Sequence, residues 1–172
     1  MIELSGLEVV AGGFEVGPLD LRVDDGRYVV LLGPSGAGKS LVLEAVAGVR
    51  RAAAGRAVIE GVDVVGLPPE RRRVGLVFQD ADAQLFNPTV FDEVAFGPLQ
   101  LGWGRDELHA RVGETMEKLR VAHLRDRVPQ RLSTGEKKRV ALASVLVLDP
   151  DVLLLDEPAA GLDPRSESEV ID

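Results

Sequence analysis

The residues with the clearest chemical purpose are Gly33-Pro34-Ser35-Gly36-Ala37-Gly38-Lys39-Ser40, which directly follow the apolar run Tyr28-Val29-Val30-Leu31-Leu32. The glycines keep side chains out of the turn, so backbone N–H groups and a following helix N-terminus can surround a phosphate chain. Lys39 is spaced to reach the β- and γ-phosphates of a nucleotide, and the Ser40 hydroxyl to ligate Mg²⁺. A second concentration of chemistry lies at Val152-Leu153-Leu154-Leu155-Asp156-Glu157, where an apolar strand leads two carboxylates out of the core in succession. Asp156 is placed to support a magnesium ion through water, and Glu157 to polarise an attacking water or hold it in line. Gln79 ends another buried-strand pattern, Val74-Gly75-Leu76-Val77-Phe78. Ligands of such sheets sit beyond the carboxyl ends of the strands, so its amide can meet a metal-linked water or sense a γ-phosphate; the alternative is a polar loop residue. Ser133 and Gly135, in Leu132-Ser133-Thr134-Gly135-Glu136, stand at the N-terminal end of a helix, a second anion-holding place that is weak evidence alone. The combination points to nucleotide hydrolysis by in-line attack of water, with Lys39 and Mg²⁺ stabilising the developing charge.

The elements needed to position these groups are legible in the pattern. Residues Ile2 to Val10 and Glu15 to Val23 alternate partially around Gly12-Gly13 and read as two antiparallel strands and a turn. Tyr28 to Leu32 is apolar throughout, as expected of a strand covered on both faces. A helix opens at Gly38 or Lys39, carries Leu41, Val42, Ala45 and Val46, and ends near Gly48. Arg56 to Val65 reads as one or two short strands around Glu60-Gly61, and Leu67-Pro68-Pro69-Glu70 as a short helical turn or loop. Asp80 to Pro88 is a polar loop with one apolar island, Leu85-Phe86.

Thr89 to Phe96 reads as a short helix with Thr89 as cap and Asp92 as cap partner, ended by Gly97-Pro98. Trp103, between Gly102 and Gly104, covers a small core or meets a partner. Asp106 caps a further helix whose Leu108, Val112, Met116 and Leu119 share one face for packing. His109 lies off that stripe and His123 in a turn; neither has metal-ligand spacing. Lys137-Lys138-Arg139 opens a helix continuing through Val145.

Composition excludes several classes. The 172 residues suit one domain with a real core. With no cysteine, disulfides, thiolate metal sites and thiol chemistry are absent. Hydrophobic residues make up 45% of the chain, yet no stretch approaches the roughly 20 apolar residues of a membrane helix. Met1-Ile2-Glu3-Leu4 does not open a signal peptide, so a membrane contact would go through a partner. The net charge of -8 argues against a general nucleic-acid surface, and the basic run Arg71-Arg72-Arg73 reads as a solvated turn.

Taken together, GPSGAGKS at 33–40, Gln79, LSTGE at 132–136, VLLLDE at 152–157 and AGLD at 160–163 resemble, in order, the Walker A, Q-loop, LSGGQ, Walker B and D-loop motifs of ATP-binding cassette transporter ATPases. The resemblance spans essentially the whole chain. It implies an α/β P-loop NTPase core with an N-terminal antiparallel β-subdomain and a helical subdomain inserted at roughly 87–135. It implies ATP and Mg²⁺ as cofactors, held by residues 33–40, with Gln79 and Asp156 beside the metal. It further implies transmembrane permease subunits, a second ATPase subunit paired head to tail as a homo- or heterodimer, and a peripheral place on the cytoplasmic face of the membrane. No nucleic-acid contact is expected. Ser133 and Gly135 would then hold the γ-phosphate of the partner's nucleotide, and Asp163 would link the two sites.

GLVFQDADAQLFNPTVFDEVAFGPLQLG at 75–102 is similar to the ATPases of energy-coupling-factor importers for vitamins and for cobalt or nickel. The stretch from GPSGAGKS to GLPPERR also resembles those of molybdate and tungstate importers. Asp82 to Pro88 and Trp103 are candidates for the groove that receives the permease. A non-transport member of the superfamily acting on nucleic acid or ribosomes, and a nucleotide-binding fragment without turnover, are the competing readings.

Three departures from the family pattern set further expectations. Thr134 and Glu136 replace the usual glycine and glutamine, which would retune turnover. The region near Val10-Ala11, where the family stacks adenine on an aromatic, is aliphatic, and Phe14 is the nearest substitute. The family's next strand and switch histidine would lie beyond Asp172, so these residues are expected to bind ATP with weak or no hydrolysis, and to expose apolar surface where that strand would pair.

Overall fold

The computed structural model describes residues 1–64 and 73–160. The turn at Leu67 to Glu70, Arg71-Arg72 and the D-loop residues Gly161 to Asp163 lie outside the described residues. The chain divides into two compact units, Met1–Arg72 and Arg73–Asp172.

The first unit is built on a four-stranded antiparallel sheet in the order β2-β1-β3-β4. Strands β1 (Ile2–Ala11) and β2 (Phe14–Val23) pair across the Gly12-Gly13 turn, with Ala11 opposite Phe14. Strand β3 (Ala54–Ile59) joins the other edge of β1, and the two-residue β4 (Val62–Asp63) follows the Glu60-Gly61 turn. Strand β1 buries Leu4, Leu7 and Val9, and its pairing with β2 shifts register between Leu4 and Leu7 and again before Val9, so the burial does not follow simple alternation. Helix α1 (Lys39–Val46) begins directly after Gly38 and buries Val42, Ala45 and Val46.

One expectation fails here. Tyr28 to Leu32 forms no strand, and its side chains face solvent, Tyr28 at 82% and Leu32 at 89% exposure. An apolar run becomes a strand only where a neighbour supplies a ladder. The sheet of this unit has β2 and β4 at its edges and offers this run no partner.

The second unit pairs β5 (Val74–Val77) with β6 (Val152–Leu155) in parallel, Val74 opposite Val152 and Val77 opposite Leu155. Between them in sequence come α2 (Ala81–Gln84), α3 (Val90–Gln100), α4 (Arg105–Lys118), two 3-10 turns at Ala122–Leu124 and Pro129–Arg131, and α5 (Thr134–Leu146). The core is made where α3, α4 and α5 meet, around Val90, Val94, Val112, Met116, Val140 and Ala143. As its spacing predicts, α4 presents Leu108, Val112 and Met116 to that core, and Lys118 pairs with Glu114 at 2.8 Å on the solvent side.

Three boundaries differ from expectation. Helix α3 runs through Gly97-Pro98 to Gln100. Part of the clash that normally ends a helix before proline is with the Cβ of the preceding residue, and Gly97 has none; a Cβ there would also press on Leu148 at 3.0 Å. Helix α4 starts at Arg105 with Gly104 as N-cap, so Asp106 sits in the first turn, where its charge meets the positive helix end, instead of capping it. Helix α5 starts three residues before Lys137, because Ser133 and Glu136 form a complete capping box.

The loop at 80–88 is also more ordered than its composition suggests. Asp80 caps α2 by accepting from the Asp82 N–H at 2.9 Å. The Leu85-Phe86 island splits: Leu85 is buried, and Phe86 is 61% exposed, its ring edge-on to Phe96 at 5.0 Å. Trp103 packs against the helical core.

Candidate functional site

In the first unit the loop at 33–40 closes as a turn, with the Ala37 N–H donating to the Pro34 carbonyl at 3.2 Å. Lys39 Nζ donates to the carbonyls of Gly33 at 3.0 Å and Pro34 at 3.2 Å, which holds the ammonium over the loop and not out in solvent. Gly38 is required twice over. Its φ of 89° lies in the left-handed region, and a Cβ would meet Val16 Cγ2 at 2.2 Å and Phe14 Cε1 at 3.1 Å. Phe14, half-exposed, therefore lies directly against the Gly38 start of α1.

In the second unit the parallel pairing of β5 and β6 aligns the chain ends that carry Gln79, Asp156 and Glu157. The Asp156 N–H extends the ladder by donating to the Val77 carbonyl at 3.0 Å, and Asp156 is buried at 8% exposure. Gln79 Nε2 donates to Glu157 Oε2 at 2.8 Å across 78 positions of sequence. Gln79, expected to meet a metal-linked water or sense the γ-phosphate, is thus brought to Glu157, expected to act on the attacking water. Glu157 has a φ of 46°, a left-handed backbone that side-chain-bearing residues seldom adopt and that is often found where function demands it.

The N-terminus of α5 is the third piece. The Ser133 N–H and hydroxyl both donate to Glu136 Oε2 at 2.8 Å, and the Glu136 N–H donates to Ser133 Oγ at 3.4 Å. These donations from Ser133 hold the Glu136 carboxyl below its ordinary value. Thr134, the β-branched departure from the family pattern, takes the first helical position, and Gly135 is buried beneath it.

Several functional side chains are not singled out by sequence reasoning. Lys137 Nζ pairs with Asp82 at 2.6 Å, and Gln84 Nε2 donates to the Ala141 carbonyl at 3.2 Å, so α5 is tied to the segment that follows Gln79. Glu93, buried on α3, accepts from the N–H groups of Phe86 and Asn87 at 2.8 and 2.7 Å and fixes the exposed Phe86 tip. Lys138 is buried against the turn after β6. The available signals are the S-x-x-E spacing at 133–136, and a lysine at 138 in phase with the apolar Ala141, Leu142 and Val145. His109, on the exposed face of α4, stacks on Phe91 at 5.1 Å. Among the described residues no cluster of His, Asp and Glu could hold a metal by itself, and no helix is long and apolar enough to cross a membrane.

The profile of the ABC transporter family matches residues 16–160. The nickel import ATP-binding protein NikO of Rhodobacter capsulatus is 47% identical over 98% of this chain and 70% of its own length. The cobalt import ATP-binding protein CbiO of the same organism is 49% identical over 84% of this chain and 53% of its own. The energy-coupling factor transporter ATP-binding protein EcfA of Methanothermobacter thermautotrophicus is 43% identical over 89% of this chain and 50% of its own. The chain thus spans half to about 70% of the length of these relatives. The solved structure of cbiO1 from Clostridium perfringens, described as part of the ABC transporter complex cbiONQ, superposes with a TM-score of 0.83 at 34% identity, over 99% of this chain and 70% of that one.

Proposed function

The chain belongs to the ABC transporter family, with the P-loop ATPase fold of that family, and on that premise we propose that it is the ATP-binding and ATP-hydrolysing subunit of an importer of the energy-coupling-factor type. The observation that carries hydrolysis is the contact of Gln79 with Glu157 at the carboxyl ends of two parallel strands. Nickel or cobalt is favoured over a vitamin as the transported species by relatives named as nickel import and cobalt import proteins.

The residues present suit MgATP. In the first unit the Cβ-free Gly36 and Gly38 open the backbone of the loop, Lys39 is held over it, and the Ser40 hydroxyl supplies a hard oxygen. The second unit carries, by itself, an amide oxygen on Gln79 and a carboxylate on Asp156, donor types that suit Mg²⁺. Bound Mg²⁺ would supply charge neutralisation to the phosphates, with the Ser40 hydroxyl as its ligand from the loop. Gly33 through Ser40 bind the phosphates through backbone N–H groups, with Lys39 countering charge on the transferred group. Gln79 orients the Glu157 carboxylate, and Glu157 takes up the proton of the attacking water. Phe14 offers its exposed ring to the adenine base.

Ser133 and Gly135 receive the γ-phosphate of a nucleotide held by a second ATPase subunit. The inserted helical subdomain, roughly 87–135, faces the transmembrane permease and presents Phe86 to it from the adjoining loop, which keeps the subunit peripheral on the cytoplasmic side. Glu157→Gln tests the chemistry: steady-state phosphate release should fall by about 100-fold or more with ATP binding retained. Wild-type turnover in that variant would sink the assignment. Co-purification with a permease that survives Phe86→Ala would count against the docking role of the tip.

A further inference from the structure

Lys138 is one of few charged residues buried in the second unit, at 6% exposure. Its ammonium donates to three main-chain oxygens: the carbonyls of Glu157 at 3.3 Å, Pro158 at 2.9 Å and Ala160 at 2.6 Å. Three donors meeting three acceptors use the full hydrogen-bonding capacity of the group, which is what makes a buried cation tolerable. Lys138 lines a small apolar cavity together with Val77, Phe78, Leu142, Leu155 and Pro158. The turn it grips is the one that carries Glu157 in its left-handed conformation and is closed by the Ala160 N–H donating to the Glu157 carbonyl at 3.0 Å.

We infer that Lys138 is a positioning residue for hydrolysis, anchoring the Glu157–Ala160 turn to α5 and so setting where the Glu157 carboxylate stands. Carbonyls converging on one cation lower the cost of the strained backbone more than bonds from a neutral side chain would. The anchor also links two ends of the machinery. Lys138 stands five residues after the Ser133 cap of α5, so a shift of that helix end moves the turn bearing Glu157. The inference rests on the proposed role of Glu157, and the experiment separates the two.

In the full chain, Lys138→Met removes the donors while keeping the stem. It should lower kcat by about tenfold or more, the scale expected from a small misplacement of a reacting group, with the ATP dissociation constant and KM within about twofold of wild type. Lys138→Gln, which keeps two donors on a shorter arm, should fall between the two, lower than wild type by about threefold or more. Adding Lys138→Met to Glu157→Gln should cost nothing further, because the anchor acts through that carboxylate. Wild-type kcat in Lys138→Met, or in Lys138→Gln should the first variant not fold, overturns the inference, as does an additive loss in the double variant. Undiminished turnover in Glu157→Gln alone overturns the functional reading and this inference with it, whereas impaired Glu157→Gln beside an unimpaired Lys138→Met overturns the inference alone.

Discussion

At the scale of single residues, the site is a set of side chains whose partners are already chosen. Lys39 is held by carbonyls of its own loop, Gln79 by Glu157, and Ser133 by Glu136. Phe14 is the residue whose role is most open to direct test. Its ring lies against the Gly38 end of α1 with half its surface exposed, and an aromatic under a base is worth about 1–3 kcal/mol. Phe14→Ala should therefore weaken ATP binding by roughly 5- to 150-fold, measured by titration calorimetry, with affinity for inorganic triphosphate unchanged. Glu136 gives a pH prediction. Its folded value is lowered by the Ser133 N–H and hydroxyl, so its stabilising contribution is complete above the unfolded value and fades as pH falls through the lowered folded one. Urea midpoints measured down the acid range should drop more steeply for wild type than for Glu136→Gln; parallel profiles would remove the capping carboxylate from the account. The phosphate-loop residues, Gln79 and the two carboxylates were legible because each stands at a fixed offset from an apolar run. Lys138 was not, because a lysine inside a helical pattern reads as solvated unless its distant partners are known.

At the scale of elements, caps and packing decide the boundaries more than propensity does. Thr89 accepts from the Asp92 N–H at 3.1 Å and donates to its carboxylate at 2.6 Å, fixing the start of α3. Thr89→Ala should cost about 1 kcal/mol in chemical denaturation, while Thr89→Ser should restore most of it; equal stability of all three would deny the cap its part. The Thr89 cap, the α4 stripe and the β1–β2 hairpin could be read from spacing, since each depends on neighbours within a few positions. The continuation of α3 through Pro98 runs against the usual reading of a Gly-Pro pair as a helix end, and is eased by a glycine at 97 that also leaves room for Leu148. The fate of Tyr28 to Leu32 could not be read from spacing, because its strand pattern is sound but its own unit supplies no ladder. Local chemistry writes caps and turns; pairing is written by residues elsewhere.

At the scale of the molecule, two compact units divide the labour in sequence, the first carrying the phosphate loop and Phe14, the second carrying Gln79, Asp156, Glu157 and the capped end of α5. The net charge is -8, which argues against a general nucleic-acid surface, and among the described residues no helix is long and apolar enough to cross a membrane. The central claim is that Gly33 to Ser40 is a working nucleotide site. Its most direct measurement is a calorimetric titration of MgATP into the folded chain and into Lys39→Ala, with folding checked by circular dichroism. The account predicts saturable binding by the wild-type chain and a loss of at least about tenfold in the variant, the smallest effect expected of a charge-assisted phosphate contact. A folded wild-type chain without saturable binding, or a Lys39→Ala protein that binds equally well, would contradict it.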